Sequence, residues 1–301
     1  MMQRQGNTIG IEQMCALAGV SRAGYYRQWQ ASAPREEETE LRDAVQRAAI
    51  ENRKYRYGYR RITAHLRRSG WPVNRKRILR IMREDNLLWV PKRAFVPPTT
   101  DSRHSWRVYP NLARRLILSA TNQLWVADIT YVRLAEEFIY LAVILDGFSR
   151  RAIGWNLATH LQASLALKAL DMALASREVA PGELIHHSDR GVQYACGDYI
   201  ARLTQAGIQP SMSRAGCPWE NGMAESFMKT LKHEEIDARE YRDLAEAEAS
   251  IGRFIEEIYN RQRLHSALSY TPPVEFERMQ PALLARGHDH AQEELQMETC
   301  N

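Results

Sequence analysis

The run Leu124-Trp125-Val126-Ala127-Asp128-Ile129-Thr130-Tyr131-Val132 reads as a β-strand of Val, Ile, Tyr and Trp with one acid set inside it. Two runs of the same kind follow closely, Phe138–Leu145 and Ala152–Leu157, with Glu136-Glu137 and Asp146-Gly147-Phe148-Ser149 supplying the turns. Breaks this short predict an antiparallel meander. The pattern then alternates: helix Ala163–Arg177, strand Leu184–His187, helix Tyr199–Ala206, strand Ile208–Met212, a polar loop from Ser213 to Pro218, and helix Glu220–His233. Three antiparallel strands followed by alternating helix and strand predict an α/β fold with a mixed sheet. A helix over Leu244–Tyr259 closes the unit, and Trp125, Trp155 and the other scattered aromatics read as core.

Upstream the reading is all-α. Residues 9–29 form two short helices about Gly19-Val20, with Ser21 as N-cap of Arg22–Trp29 and a helix-turn-helix layout across Ala16–Ser21. An acidic bridge, Pro34 to Glu40, leads into a helix over Leu41–Glu51. A second, more basic pair follows: Arg60–Arg68, with Ile62 and Leu66 one turn apart, and Arg75–Glu84, capped by Asn74 with Ile78, Leu79 and Met82 facing inward. The chain therefore divides into a helix-turn-helix-like segment (1–33), a basic helix-turn-helix domain (34–90), a basic linker carrying Pro91, Pro97, Pro98 and Pro110 (91–118), the mixed-sheet core (119–279) and a polar tail (280–301).

At 301 residues, 45% hydrophobic and 26% charged, the chain can bury cores in two or three domains. No apolar run approaches the roughly 20 residues of a membrane span, and no leader is expected at the N-terminus. Cys15, Cys196, Cys217 and Cys300 lie far apart without C-x-x-C spacing, so reduced thiols and a cytoplasmic, nucleoid-associated location are expected. The net charge of +5 hides a division: residues 1–118 hold 24 Lys/Arg against 10 Asp/Glu, and the rest hold 17 against 26. Arg75-Lys76-Arg77 sits at a helix N-terminus, where the macrodipole disfavours cations and phosphate contact would use them. Together with Arg60 and Arg61, these three are candidate DNA contacts.

Three carboxylates stand where chemistry explains them better than packing does. Asp128 lies inside an apolar strand, Asp189 follows the strand at its carboxyl end, and Glu225 is one turn into its helix. Singly each has an ordinary alternative: a backbone partner, a turn residue, a surface helix acid. Together they make one set of hard oxygen donors suited to two Mg²⁺ or Mn²⁺ ions and to in-line phosphoryl displacement. Asn221, Glu225, Lys229 and Lys232 share one helix face, which would flank such a site with phosphate contacts. His186, His187, His233 and His265 lack zinc-ligand spacing; His187, Arg263 and His265 are candidates for a phosphate-touching or positioning role.

At this point the residues resemble a known family. Trp125–Tyr131, His187–Tyr194 and Asn221–Phe227 look like the three DDE blocks of a bacterial insertion-sequence transposase, with 35 residues between Asp189 and Glu225. The resemblance is to the second reading frame (OrfB) of the insertion-sequence family numbered three, whose core is similar to retroviral integrase. Tyr259-Asn260-Arg261-Gln262-Arg263-Leu264-His265-Ser266-Ala267-Leu268 resembles its terminal signature, and Tyr57–Ile62 with Val73–Arg77 its N-terminal helix-turn-helix. Ser269 stands where that family commonly has glycine. The resemblance implies an RNase H-like core with two Mg²⁺ held by Asp128, Asp189 and Glu225. It further implies DNA strand cleavage and strand transfer at element ends without a covalent protein–DNA intermediate. The partners it implies are the terminal repeats and target DNA, further copies of the chain on DNA, and an upstream-frame (OrfA) product or fusion.

Three rivals remain in view. A tyrosine recombinase, tempting from Tyr259, Arg263, His265 and Tyr270, leaves Asp128 unexplained. A general RNase H-like nuclease leaves the basic helices unexplained. A DNA-binding regulator with a non-catalytic RNase H-like core would show a broken triad, and the three acids here are intact.

Overall fold

The structure, a computed structural model, describes residues 10–23, 36–52, 55–88, 106–135, 137–214 and 217–279. Most of the expected helix Arg22–Trp29, Pro91, Pro97 and Pro98 of the linker, and the 280–301 tail lie outside the described residues.

Five strands form one sheet in the order β3-β2-β1-β4-β5. β1 (Leu124–Arg133), β2 (Phe138–Asp146) and β3 (Ala152–Ala158) form the expected meander. Its register runs from Trp125 opposite Asp146 to Arg133 opposite Phe138. β4 (Ile185–Ser188) and β5 (Gln209–Met212) then add in parallel on the other side of β1. Strand periodicity divides β1 between two cores. Leu124 and Val126 face one core, with Phe227, Leu231, Ile251 and Phe254; Trp125 and Ala127 face the other, with Leu165, Ala169, Tyr199 and Leu203.

Helices cover both faces, as parallel crossovers require. The helix Ala163–Ser176 approaches β3 so closely that a Cβ at Gly154 would lie 2.2 Å from the Ala169 carbonyl oxygen. A short helix, Val192–Ala195, precedes Gly197–Gln205; it was not anticipated, since four residues carry no readable period. The expected helix Glu220–His233 divides into a 3₁₀ turn, Pro218–Asn221, and an α-helix, Gly222–Glu234. The expected helix Leu244–Tyr259 is α-helical over Leu244–Arg253 and widens to a π-helix over Phe254–Tyr259.

The N-terminal helices are α1 (Ile11–Leu17), α2 (Glu36–Glu51), α3 (Tyr59–Arg68) and α4 (Arg75–Glu84). α2 begins five residues before the expected Leu41. Acids favour a helix N-terminus, and Glu38 pairs with Arg80 at 2.6 Å. α4 turns Ile78, Ile81 and Met82 inward; Leu79, expected there, is only half-buried. Leu41, Val45, Ile62 and Leu66 complete the core of this helical unit, and Leu264, from the far end of the chain, enters it. The Leu264 N–H donates to Tyr57 Oη at 2.9 Å, and its carbonyl accepts from Arg61 Nε at 3.0 Å. Among the described residues no helix is long and apolar enough to cross a membrane.

Candidate active site

The sheet register brings the acids together. Val126 on β1 pairs with His187 on the parallel strand β4. Two residues further on stand Asp128, still on β1 and by the period of two on the face of Val126, and Asp189, just past the end of β4. That face carries Leu124 and Val126, against which Ala224, Phe227, Met228 and Leu231 of the helix Gly222–Glu234 pack. Glu225 follows Ala224 on that helix, at the margin of its buried side, with its carboxylate partly exposed.

Electrostatics give the same picture. The Asp128 carboxyl is pushed up to about 8, first by burial and then by the charges of Asp189 and Glu225. Against this it accepts one short-range hydrogen bond, from the Ile129 N–H at 3.0 Å. Two acids near enough to oppose the ionisation of Asp128 make its surroundings a place where positive charge is in deficit. Asp189 Oδ1 accepts from the Gly191 N–H at 2.9 Å, and a Cβ at Gly191 would lie 3.0 Å from that oxygen. Glu225 lies 3.8 Å from Lys229 Nζ. Lys232 sits with its ammonium 4.3 Å from the Tyr131 ring centroid, and burial lowers its pKa while Asp237 and Asp128 oppose the shift. Among the described residues, no three His, Cys, Asp or Glu side chains are gathered closely enough to form a ready-made metal cage.

Several residues singled out from sequence are turned inward. Asn221 is buried and donates from Nδ2 to the Ala127 carbonyl at 2.9 Å, so it ties the loop before the Glu225 helix to β1 beside Asp128. His187 is buried with Nδ1 2.9 Å from Ser211 Oγ, and burial lowers its pKa. Arg263 forms a buried two-pronged pair with Glu234, at 2.8 and 2.7 Å. His265 is buried edge-on to Tyr259, and its pKa falls to about 3 through burial and the Arg263 charge. On the helical unit, Arg60, Arg75, Lys76 and Arg77 are exposed, whereas Arg61 is engaged with Leu264.

Two features escaped the sequence reading. Trp219, read as core, is 69% exposed. Arg114, Arg190 and Arg214, distant in sequence, line one cleft. The signal available for Trp219 was its place in a polar loop between Pro218 and Glu220, where no apolar period exists.

The integrase core domain family matches residues 119–218, a second integrase core family matches 206–273, and an HTH-like domain family matches 36–95. The chain is 40% identical over 266 residues to the "Insertion element IS600 uncharacterized 31 kDa protein" of Shigella sonnei, covering 87% of this chain and 97% of that protein. It is 37% identical over 273 residues to "Transposase InsF for insertion sequence IS3A" of Escherichia coli K12, covering 89% and 94%. Among solved structures, it is similar to a simian T-cell lymphotropic virus intasome in complex with PP2A regulatory subunit B56 gamma, with TM-score 0.45 and 17% identity over 76% of this chain and 74% of that one. It is also similar to the HTLV-2 integrase catalytic core domain in complex with magnesium (trimeric form), with TM-score 0.39 and 15% identity over 52% and 97%.

Proposed function

The chain belongs to the IS3 family of bacterial insertion-sequence transposases, and from that premise we propose that Asp128, Asp189 and Glu225 are the carboxylates with which it cuts and rejoins DNA at the element's ends. The observation that supports this reading is the register of β1 with β4, whose last pair, Val126 with His187, stands two residues before each aspartate, beside the face of β1 packed by the Glu225 helix. Structure alone gives no reason for a half-buried acid opposed by two others. A cation between them does.

The donor set fits Mg²⁺ or Mn²⁺: three carboxylates, no sulfur, and like charges whose repulsion a divalent ion would relieve. Two such ions, when bound, would activate an attacking oxygen and stabilise the leaving one. The chain's own residues do the rest. Asp128 on β1 and Asp189 just past the end of β4 fix one side of the site, and Glu225 closes it from the helix. Asn221 locks the start of that helix to β1, and Lys229 and Lys232 add positive charge for the DNA backbone.

The division of labour expected from the sequence fits this function. The helical unit 34–90 offers Arg60, Arg75, Lys76 and Arg77 to phosphates, and Arg61 holds that unit to the core. Copies of the chain work together on paired DNA ends, with an upstream-frame product as partner, in the cytoplasm beside the chromosome.

The test is cleavage and joining on an oligonucleotide duplex bearing the element's own end, with Mg²⁺ or EDTA. Asp128→Asn, Asp189→Asn and Glu225→Gln each lose both reactions and keep duplex binding. Normal cleavage by any one variant removes that residue from the centre. Binding without cleavage by the wild type returns the regulator reading.

A further inference from the structure

Helix α3 faces two ways. Arg60 is exposed, whereas Arg61, next in the chain, turns toward the core and donates from Nε to the Leu264 carbonyl at 3.0 Å. Tyr57, two residues before α3, accepts from the Leu264 N–H at 2.9 Å, and the Arg61 guanidinium lies 5.5 Å from its ring centroid. Both backbone polar groups of Leu264 are thus engaged by the helical unit, whose core its side chain enters.

The residues on either side of Leu264 are fastened to the helix Gly222–Glu234. Arg263 sends two donors to Glu234, the last residue of that helix, at 2.8 and 2.7 Å, and both side chains are buried. His265 packs edge-on against Tyr259 at 4.6 Å, and Tyr259 edge-on against Phe227 at 4.7 Å, two residues beyond Glu225. A direct link joins the same parts: Arg56 Nη1 lies 3.4 Å from His233 Nδ1. Asn260 ties the segment to the sheet, exchanging bonds of 2.9 Å with the N–H and carbonyl of Ala152.

A two-pronged guanidinium–carboxylate pair is planar and directional, so a shift of Arg263 carries Glu234 with it. Glu234 and Glu225 lie nine residues apart on one helix, about 14 Å along its axis, and the helix passes that shift on. A working set of donors must be held to within about 0.5 Å. We propose that Tyr57 and Arg61 are positioning residues for Glu225. Through Leu264 and Arg263 they hold the helix Gly222–Glu234 where its carboxylate meets those of Asp128 and Asp189. The three acids then grip divalent cations in full only while the helical unit is seated on the core, which ties cutting to the module that holds DNA. This rests on the reading of the three acids as cation ligands and adds what completes their site.

The experiment titrates the full chain with Mn²⁺ by calorimetry in the absence of DNA, so that a lost phosphate contact cannot imitate the effect. Tyr57→Phe combined with Arg61→Met removes both bonds to Leu264 and keeps the ring and the stem; it weakens Mn²⁺ binding about tenfold. Cleavage of an element-end duplex by this variant needs correspondingly more Mn²⁺ and recovers in excess, which a merely unfolded fraction would not do. Tyr57→Phe alone, which removes one hydroxyl, shows a smaller loss and decides the matter should the double variant unfold. Arg68→Gln is the control. It breaks the exposed Arg68–Glu275 pair at 2.8 and 2.6 Å, which joins the same two units away from Leu264, and it leaves Mn²⁺ affinity at the wild-type value. Wild-type Mn²⁺ affinity in the folded Tyr57 and Arg61 variants, or an equal loss in Arg68→Gln, overturns the proposal. Glu225→Gln separates the two readings: it weakens Mn²⁺ binding where the acids are the cation site, and wild-type affinity in that variant defeats that reading and this proposal with it.

Discussion

Asp128 and Asp146 sit on adjacent strands of one sheet, and burial pushes both carboxyls up. Their surroundings are opposite. Asp146, at the end of β2, is fully buried and accepts from the N–H groups of Asn122, Phe148 and Ser149 at 2.8, 3.0 and 2.9 Å. Beside it, Arg151 and Arg177 neutralise Glu277 at 2.7 and 2.5 Å. Asp128 accepts from its neighbour's N–H alone among these contacts and faces two further acids. The acid that holds a turn is surrounded by donors, whereas Asp128 is left short of them, as the proposed role requires.

Exchanging each acid for its amide is the strongest way to break that contrast. Asp128→Asn lowers cleavage by roughly a thousandfold or more, the equivalent of several kcal/mol of lost electrostatic stabilisation. Its thermal midpoint holds or rises, because the amide replaces an acid whose ionisation burial and two neighbouring carboxylates already oppose. If the protein instead loses stability, Asp128 is a structural acid like Asp146. Glu234 sharpens the comparison as a third acid, paired by both prongs of Arg263. Arg263→Met should cost about 3–5 kcal/mol in urea unfolding, because it leaves a buried carboxylate alone. Asp146→Ala strands buried N–H donors and costs roughly 1–3 kcal/mol, with the remaining folded enzyme cleaving within a few-fold of wild type.

Two buried histidines belong with the structural groups. Burial depresses His186 and His265 to about 3, and His186 Nε2 lies 3.0 Å from Tyr199 Oη. Unfolded histidine takes up a proton near pH 6.5, while these do not until about 3. Their contribution to stability is therefore present above pH 6.5 and falls away as the pH drops toward 3. The thermal midpoint should decline over that range, and His265→Phe should make the decline shallower. The smallest effect is at Ser269, which holds φ 52° and ψ 37°, the left-handed region. Ser269→Gly should raise stability by up to ~1 kcal/mol; a loss would show that its side chain has work to do there.

The meander was legible because three apolar runs with short breaks permit few arrangements, and Asp128 was visible as a charge inside one of them. The same strand reading supplied the register argument once the β1–β4 pairing was known. What the sequence hid was direction. Asn221, His187, Arg263 and His265 are polar residues in plausible places, and nothing local says that each is buried, the first three against partners far along the chain. Glu234, the partner of Arg263, lies 29 positions away. Trp219 shows the reverse error: type alone assigns a large apolar side chain to the interior, although in its short 3₁₀ turn it is Asn221 that is buried and the indole that faces out. The arginine cleft was invisible because its three guanidinium groups come from three separate segments.

Leu264 carries a practical consequence. Its side chain completes the core of the helices α2 to α4, while its neighbour Arg263 is locked to the helix that bears Glu225. A fragment cut out at residues 119–279 would therefore present an oily plug with no socket, and the helices expressed without it would keep a hollow. Such halves should clump or loosen when made apart and regain order when mixed, so this transposase is better dissected by point substitution than by scissors.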